Sequence, residues 1–309
     1  MLISSKSSNT LSERIRSSRS ACCSGLFLSA RWFVLSGVAS EGLHLIVLPG
    51  KDAAEYCASD LYCLVEGDRV FYLPELGKNL ERSNYKATLR VQRTSAVTAV
   101  SGYRKEDGPL FIVTYPEALE EELPSGKKIS DSVLELKTGD EISHERIMEI
   151  LVGEGFEKVD FVAEPGQFAL RGGIVDIFSY SFNNPFRISF FGDEIESINI
   201  FDCNTQLSTG SVDHVEIYPD IVTSSEDEAS MPVTGIFPDD TTVWLDSSDM
   251  YKSKSFFGDL LKFRTVYLEV PLGEDAGDAV KFNISPQPVF NKNFELLTED
   301  IRKRMEEGY

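Results

Sequence analysis

The sequence predicts an α/β protein in which a parallel-sheet domain is interrupted by a β-hairpin-rich α+β module. Three observations carry the prediction. Apolar runs alternate with helix-spaced segments over residues 1–124, closely spaced β runs with turn signals fill 125–211, and the α/β alternation returns over 212–309. Strand–helix alternation implies right-handed βαβ units around a parallel sheet. The simplest chain path is one discontinuous α/β domain, formed by the two outer parts, with the β-rich module inserted in it.

The Ser-rich, mildly basic start (Ser4 to Ser20, with Lys6, Arg14, Arg16 and Arg19) lacks the hydrophobic core and cleavage site of a secretion signal. It predicts a frayed end leading into a first helix over Leu28–Ser40. Leu43-His44-Leu45-Ile46-Val47-Leu48 is apolar at nearly every position, as suits a strand covered on both faces. Gly50-Lys51-Asp52 lacks the upstream glycine and the hydroxyl of a phosphate loop and is expected to start a helix. Helical spacing over Ala53–Leu64 and Tyr85–Val100 brackets a strand at Arg69–Leu73, and Leu110–Thr114 is a third strand.

The pattern changes near Pro124-Ser125-Gly126. A β run over Ser132–Leu136 precedes a short helix that Ser143 can N-cap and Gly153 can end. Two hairpins follow, described below. An acidic, Ser-rich loop (Ser224 to Ser230) leads back to α/β alternation. There Thr241–Asp246 predicts a buried strand ending in an acid, Val266–Val270 another strand, and Asn293–Glu307 a final helix.

A chain of 309 residues can bury two or three cores, and 42% hydrophobic with 26% charged residues is a globular, soluble balance. No apolar run approaches the roughly 18 to 20 residues that span a bilayer. The formal charge of −20 argues against nonspecific nucleic-acid binding, which depends on Lys and Arg displacing counterions from phosphates. Beyond the N-terminal arginines no basic cluster stands out, so protein partners are expected. The five cysteines (Cys22, Cys23, Cys57, Cys63, Cys203) form no CxxC, and His44, His144 and His214 are scattered. No metal site is expected, and buried free thiols in a reducing cytoplasm fit best.

The most distinctive stretch runs Glu164-Pro165-Gly166-Gln167-Phe168-Ala169-Leu170-Arg171-Gly172-Gly173-Ile174-Val175-Asp176-Ile177-Phe178, then Arg187-Ile188-Ser189-Phe190-Phe191-Gly192-Asp193-Glu194-Ile195. A polar loop around Asn183-Asn184-Pro185 joins the two parts. Gly192-Asp193 suits a two-residue primed turn. Residues two apart on a strand share a face, so Arg187, Ser189 and Phe191 point one way and Phe186, Ile188 and Phe190 the other. Gly172-Gly173 lets the strand bulge and aim Arg171 outward, or permits close packing.

This long ordered run, continued through Ser197-Ile198-Asn199-Ile200-Phe201-Asp202 and Thr205-Gln206, closely resembles the damage-recognition region shared by UvrB and the transcription-repair coupling factors, Mfd. The resemblance is strong over about 140–220 and diffuse over the rest. It implies a discontinuous, degenerate P-loop/RecA-like α/β domain carrying an inserted module that docks UvrA. By the same resemblance Arg171, Arg187 and Phe191 are the UvrA contacts. Arg can grip a carboxylate with two parallel hydrogen bonds and stack on rings, and Phe adds apolar burial. Truncating these three is expected to spare the fold, whereas Phe190 packs inside.

The resemblance also locates a nucleotide site. Its phosphate loop corresponds to Gly25-Leu26-Phe27-Leu28-Ser29-Ala30-Arg31-Trp32. The first glycine remains, Leu28 and Ala30 stand where two others belong, Arg31 replaces the Lys and Trp32 the hydroxyl. These bulky side chains are expected to fill the cradle. The strand-end acid pair reads Asp246-Ser247, without the Glu that activates water. No cofactor, metal or ATP hydrolysis is therefore expected. These losses point to the UvrB-homologous N-terminal region of a coupling factor, a non-catalytic UvrA-recruiting module cut from a longer bacterial, cytoplasmic DNA translocase. RNA polymerase and DNA would be reached through other parts of that parent. The alternative is a UvrB-like or helicase-type ATP-dependent repair enzyme with an atypical site.

Overall fold

Helix α1 (Lys6–Ser17) starts where the Ser5 hydroxyl accepts the Ser8 N–H at 3.1 Å, an N-cap that satisfies one of the helix's orphan donors. Its Leu11 is fully buried against α2 (Ala30–Val38). Between the two helices lies strand β1 (Ser20–Ser24), followed after α2 by β2 (Leu43–Val47), α3 (Lys51–Leu64), β3 (Val70–Tyr72), α4 (Asn84–Ser101), β4 (Leu110–Thr114) and β5 (Glu122–Pro124). The expected frayed start is thus overturned: residues 6–24 form a packed helix and a strand. The structure is a computed structural model, and it describes residues 5–65, 68–77, 84–124, 133–182, 184–220, 230–271, 273, 276–284 and 290–306. The expected features at Ser4, Ser125-Gly126, Ser132, Asn183, 224–229 and 307–309 lie outside them.

The middle of the chain contributes β6 (Leu134–Lys137), α5 (His144–Gly153), β7 (Glu157–Lys158), β8 (Gln167–Arg171), β9 (Ile174–Ile177), β10 (Phe186–Phe191), β11 (Glu194–Phe201), β12 (Ser208–Val212) and β13 (His214–Ile217). The last part supplies β14 (Ser230–Pro232), β15 (Thr242–Leu245), β16 (Arg264–Tyr267), β17 (Val280–Lys281) and α6 (Phe294–Glu306).

Strands from both ends of the chain build one seven-stranded sheet in the order β17-β1-β16-β15-β2-β4-β3, every ladder parallel. A parallel sheet must be covered on both faces. Leu11, Trp32, Leu35, Cys57 and Leu61 cover one face over Ile46, Phe111 and Trp244. Val97, Val233, Phe256 and Leu260 cover the other over Leu45, Ile112 and Val243. This is why β2, β4 and β15 are buried at every position. The fold is α/β, as the sequence predicts. Where the chain leaves and rejoins this sheet, β5 and β14 pair antiparallel, Leu123 opposite Met231.

The second sheet has the order β12-β11-β10-β9-β8-β7, antiparallel except for β7 alongside β8. Helix α5, capped by Ser143 through the Arg146 N–H, and the β6–β13 ribbon cover one face. Ile147, Leu151, Leu136 and Ile217 meet Phe168, Val175, Phe186, Ile188 and Ile198 there. Phe190 is half-buried against this core, its ring edge-on to His144 at 6.0 Å. Gly192 has φ +66, and Asp193 is outside the left-handed region, as a type II′ turn between β10 and β11 requires. Gly172-Gly173 makes no bulge, but it does permit close packing: a Cβ on Gly173 would lie 3.2 Å from the Phe190 carbonyl oxygen. It is the two-residue turn joining β8 to β9, with Gly172 at φ +60 and Arg171 opposite Ile174. Among the described thiols Cys23 and Cys57 are buried, but Cys63 is exposed and Cys22 and Cys203 are half-buried, which corrects the expectation of five buried ones.

At the sheet's centre His44 is almost wholly buried. Its Nε2–H donates to the Glu41 carbonyl (3.1 Å), and its Nδ1 accepts the Trp244 indole N–H (3.1 Å), so the neutral ring is fully used. Burial lowers its pKa from 6.5 to about 4, against a smaller opposing push from the Glu41 hydrogen bond. The unfolded chain therefore takes up a proton that the folded chain refuses. This contribution to stability is complete above pH about 6.5 and falls as pH drops towards about 4, by about 1.4 kcal/mol per unit. Urea unfolding of wild type and His44→Gln across that window should give a difference in stability that shrinks with falling pH. Parallel curves for the two chains would show that His44 is not held neutral.

Candidate functional site

The face of the second sheet that α5 does not cover carries the sequence-predicted contact residues. Cross-strand register places Ala169, Asp176, Arg187, Asn199 and Ser211 in one row, and Arg171, Ile174, Ser189 and Ser197 in the next. Strand alternation turns these residues away from the α5 core. At the centre is Asp176, 1% exposed. Its Oδ1 accepts the Arg187 Nε–H at 2.7 Å, and its Oδ2 accepts Arg187 Nη2 at 2.9 Å and Arg171 Nη2. One buried carboxylate thus holds two guanidinium groups, leaving a local charge of about +1 in a strongly acidic chain.

The two arginines differ. Arg187 is 19% exposed, also donates to the Gln206 carbonyl (3.2 Å) and Oε1 (3.1 Å), and lies 4.3 Å above the Phe201 ring. The hydrogen bond to Asp176 raises its pKa further. It is mostly an internal brace, not the solvent-presented guanidinium that strand alternation alone suggests. Arg171 is 34% exposed and stacks 4.9 Å from the Phe161 ring. Phe191, at the hairpin tip, is 79% exposed. The structure therefore brings Arg171 and Arg187 together through Asp176 and leaves Phe191 open at the end of the same strand as Arg187.

Asp176 and Gln206 stand inside the distinctive sequence run, but their role depends on pairing across strands and could not be read from spacing. Phe161, in the loop between β7 and β8, had no signal beyond its being aromatic. Among the described residues no cluster of His, Cys, Asp or Glu is arranged to hold a metal ion, and no helix is long and apolar enough to cross a membrane.

The second sequence-predicted site lies at the carboxyl ends of β1, β15 and β16, where open α/β sheets commonly bind ligands. Residues 25–29 link β1 to α2 there. Gly25 has φ +76, and a Cβ on it would lie 2.1 Å from the Phe282 carbonyl oxygen, so only glycine fits. Leu28 adopts φ +48, the left-handed conformation of a glycine-rich turn, yet its side chain is largely exposed and does not fill a cradle. Trp32 is buried in the core instead. Arg31 occupies the crevice: its Nη1 lies 2.5 and 2.6 Å from the two oxygens of Asp246, and its Nη2 is 3.6 Å from Glu269. Burial pushes the Asp246 carboxyl above its ordinary value, and Arg31 pulls the other way. Ser247, at φ +52, donates to Asp246 at 3.3 Å, and Ala30 opens α2 as its first residue.

Comparison with known proteins places the second sheet in a known family match. Residues 134–221 match the family model of the UvrB interaction domain. The transcription-repair-coupling factor of Bacillus subtilis is 32% identical over 200 residues, 63% of this chain and 16% of that protein. The UvrABC system protein B of Streptococcus suis is 42% identical over 98 residues, 31% of this chain and 15% of that protein. That of Lactococcus lactis subsp. cremoris is 41% identical over 98 residues, 31% of this chain and 14% of that protein. The chain thus spans about a sixth of the length of the relatives it matches. The resemblance to the UvrB-like region of coupling factors, drawn from the residue pattern alone, is borne out.

Asp176→Ala leaves two guanidinium groups facing each other without their carboxylate, and breaking a buried pair in this way costs about 3–5 kcal/mol. Arg187→Ala also lowers stability, because Asp176 keeps only Arg171. Phe191→Ala, at an exposed tip, should stay within about 0.5 kcal/mol of wild type. Urea unfolding of the three variants checks this ordering. An Asp176→Ala chain as stable as Phe191→Ala would remove the carboxylate from the centre of the face.

Proposed function

We propose that this chain is a non-catalytic docking module that binds UvrA and recruits it to damage that has stalled transcription. The carrying observation is the sheet face opposite α5, within the segment matching the UvrB interaction domain, where Asp176 pre-positions Arg171 and Phe191 stands open. Aromatic and Arg side chains on a rigid support dominate protein interfaces. UvrA meets Arg171 and Phe191 directly, and Arg187 by its outer edge. Residues 125–211 are the core of the docking module. Residues 1–124 and 212–309 are the two parts of a RecA-like support whose nucleotide site has decayed. Arg31 in place of the phosphate-loop Lys, paired to Asp246, supports the loss of ATP chemistry. In the whole protein, other domains engage RNA polymerase and DNA in the bacterial cytoplasm and supply ATP-driven translocation.

A second proposal, a UvrB-like ATP-dependent repair enzyme, is favoured by the higher identity to UvrABC system protein B, 42% against 32%. The longer reach of the coupling-factor match, 200 residues against 98, favours the first.

Calorimetry with purified UvrA separates the two. Arg171→Ala and Phe191→Ala should each weaken binding by roughly thirtyfold, about 2 kcal/mol, with melting unchanged for Phe191→Ala. Titration of wild type with magnesium and ATP should give no saturable heat. Wild-type affinity in both variants sinks the docking function. Saturable nucleotide binding that disappears in Arg31→Ala restores the enzyme.

A further inference from the structure

The loop between β7 and β8 holds an aromatic ring in solvent on a fixed support. Phe161 is 64% exposed. Its neighbour Val162 is buried with Ala169, Phe178 and Phe201, and Val159 packs against the same cluster. The Gln167 Oε1 accepts the N–H groups of Ala163 and Glu164, each at 3.0 Å, and the Val159 N–H donates to the Phe168 carbonyl at 2.9 Å. Residues on both sides of Phe161 are therefore anchored, and the ring is held in the open instead of turning into the small core beside it. An aromatic ring left in water forgoes the stabilisation that burial would give it.

The Arg171 guanidinium lies 4.9 Å from that ring and donates one hydrogen bond to Asp176. A guanidinium has five N–H donors. Among the described residues Asp176 is the only hydrogen-bond partner of the Arg171 side chain, so most of the fork is available while the cation is held from below by a carboxylate and from the side by a ring. A partner that places a carboxylate on the fork and an apolar side chain on the ring would bury both at once, in a site already ordered before binding.

We propose that Phe161 and Arg171 form one composite contact on the docking face, which takes a partner acidic side chain flanked by an apolar one, with Phe161 as a direct anchor that also orients Arg171. This rests on the UvrA docking proposed above and adds a residue and a partner chemistry to it. The contact is extended over a loop and a strand end, beyond the strand residues that the sequence pattern singles out.

The test is UvrA affinity of the whole chain, measured by calorimetry alongside thermal melting, for Phe161→Ala, Phe161→Tyr and Phe161→Glu. Phe161→Ala should bind at least tenfold more weakly, Phe161→Tyr about as well as wild type, and Phe161→Glu more weakly than Phe161→Ala because it sets a like charge against the partner carboxylate. All three should melt close to wild type, since the replaced ring is largely in water. If Phe161→Ala and Phe161→Glu bind normally while Arg171→Ala and Phe191→Ala do not, the composite contact is wrong and the docking function stands. If all of these bind normally, the docking function itself fails. Loss of binding that tracks an early melt in Phe161→Ala, together with normal binding by a stably folded Phe161→Glu, also overturns the contact.

Discussion

The pairing of β2 with β15 holds the two ends of the chain in one sheet. His44 and Trp244 are 200 residues apart in sequence, and the indole N–H of one donates to the imidazole of the other across neighbouring strands. Tyr251 closes the carboxyl ends of the same two strands, its hydroxyl lying 3.1 Å from the Val47 carbonyl and 2.9 Å from that of Asp246. The described strands β7 to β12 build a separate sheet, so between β4 and β15 the chain leaves the first sheet and returns to it. The β5–β14 ladder sits at that crossing, and the Arg90–Asp220 ion pair at 3.1 Å adds a contact between α4 and the end of the excursion. A long loop closure is costly only logarithmically in its length, so a large excursion is tolerated once its ends are pinned.

Two buried carboxylates, Asp246 and Asp176, are each held by arginine, with different consequences. At the crevice one guanidinium meets the buried Asp246 carboxylate and, at 3.6 Å, the more exposed Glu269, so no cationic excess remains. On the second sheet two guanidinium groups share one carboxylate, so a cationic excess remains and is directed outward through Arg171. In neither place is the ion pair a large net source of stability, because desolvation offsets most of the attraction. What each provides is position. Arg31 ties the start of α2 to the end of β15, and Asp176 fixes the directions of both arginines on the face.

Much of this was legible in the sequence, for identifiable reasons. Strands β2, β4 and β15 are continuous apolar runs, which only a doubly covered strand needs. The Gly192-Asp193 turn and the Ser143 cap are local, with the hydrogen bonds and φ angles made within a few residues. Strand β1, Ser-Ala-Cys-Cys-Ser, was illegible because it has no β-branched or aromatic residue and turns only Ala21 and Cys23 inward. Helix α1 is rich in Ser, Thr and Asn, weak helix formers, and its inward stripe is little more than Leu11 and Ile15. At the site, alternation gave the correct face for Arg187 but not its state. Its pairing with Asp176 depends on the β9–β10 register, set across an eight-residue connection, and on a turn at 202–206 that brings Gln206 to it. Phe161 belongs to a loop, where periodicity carries no information.

A ligand-driven switching enzyme needs a crevice that can open and close around its ligand, and it accepts local instability for that motion. Here the crevice is crossed by Arg31, and the Phe282 carbonyl packs so tightly on Gly25 that no side chain could be added. Both features hold the loop after β1 in one arrangement. Docking has the opposite requirement. A face that is already ordered loses less entropy on binding, so the same few contacts yield more affinity. In the proposed docking role, a fixed sheet beneath and Arg171 braced by both Asp176 and Phe161 would meet that requirement together.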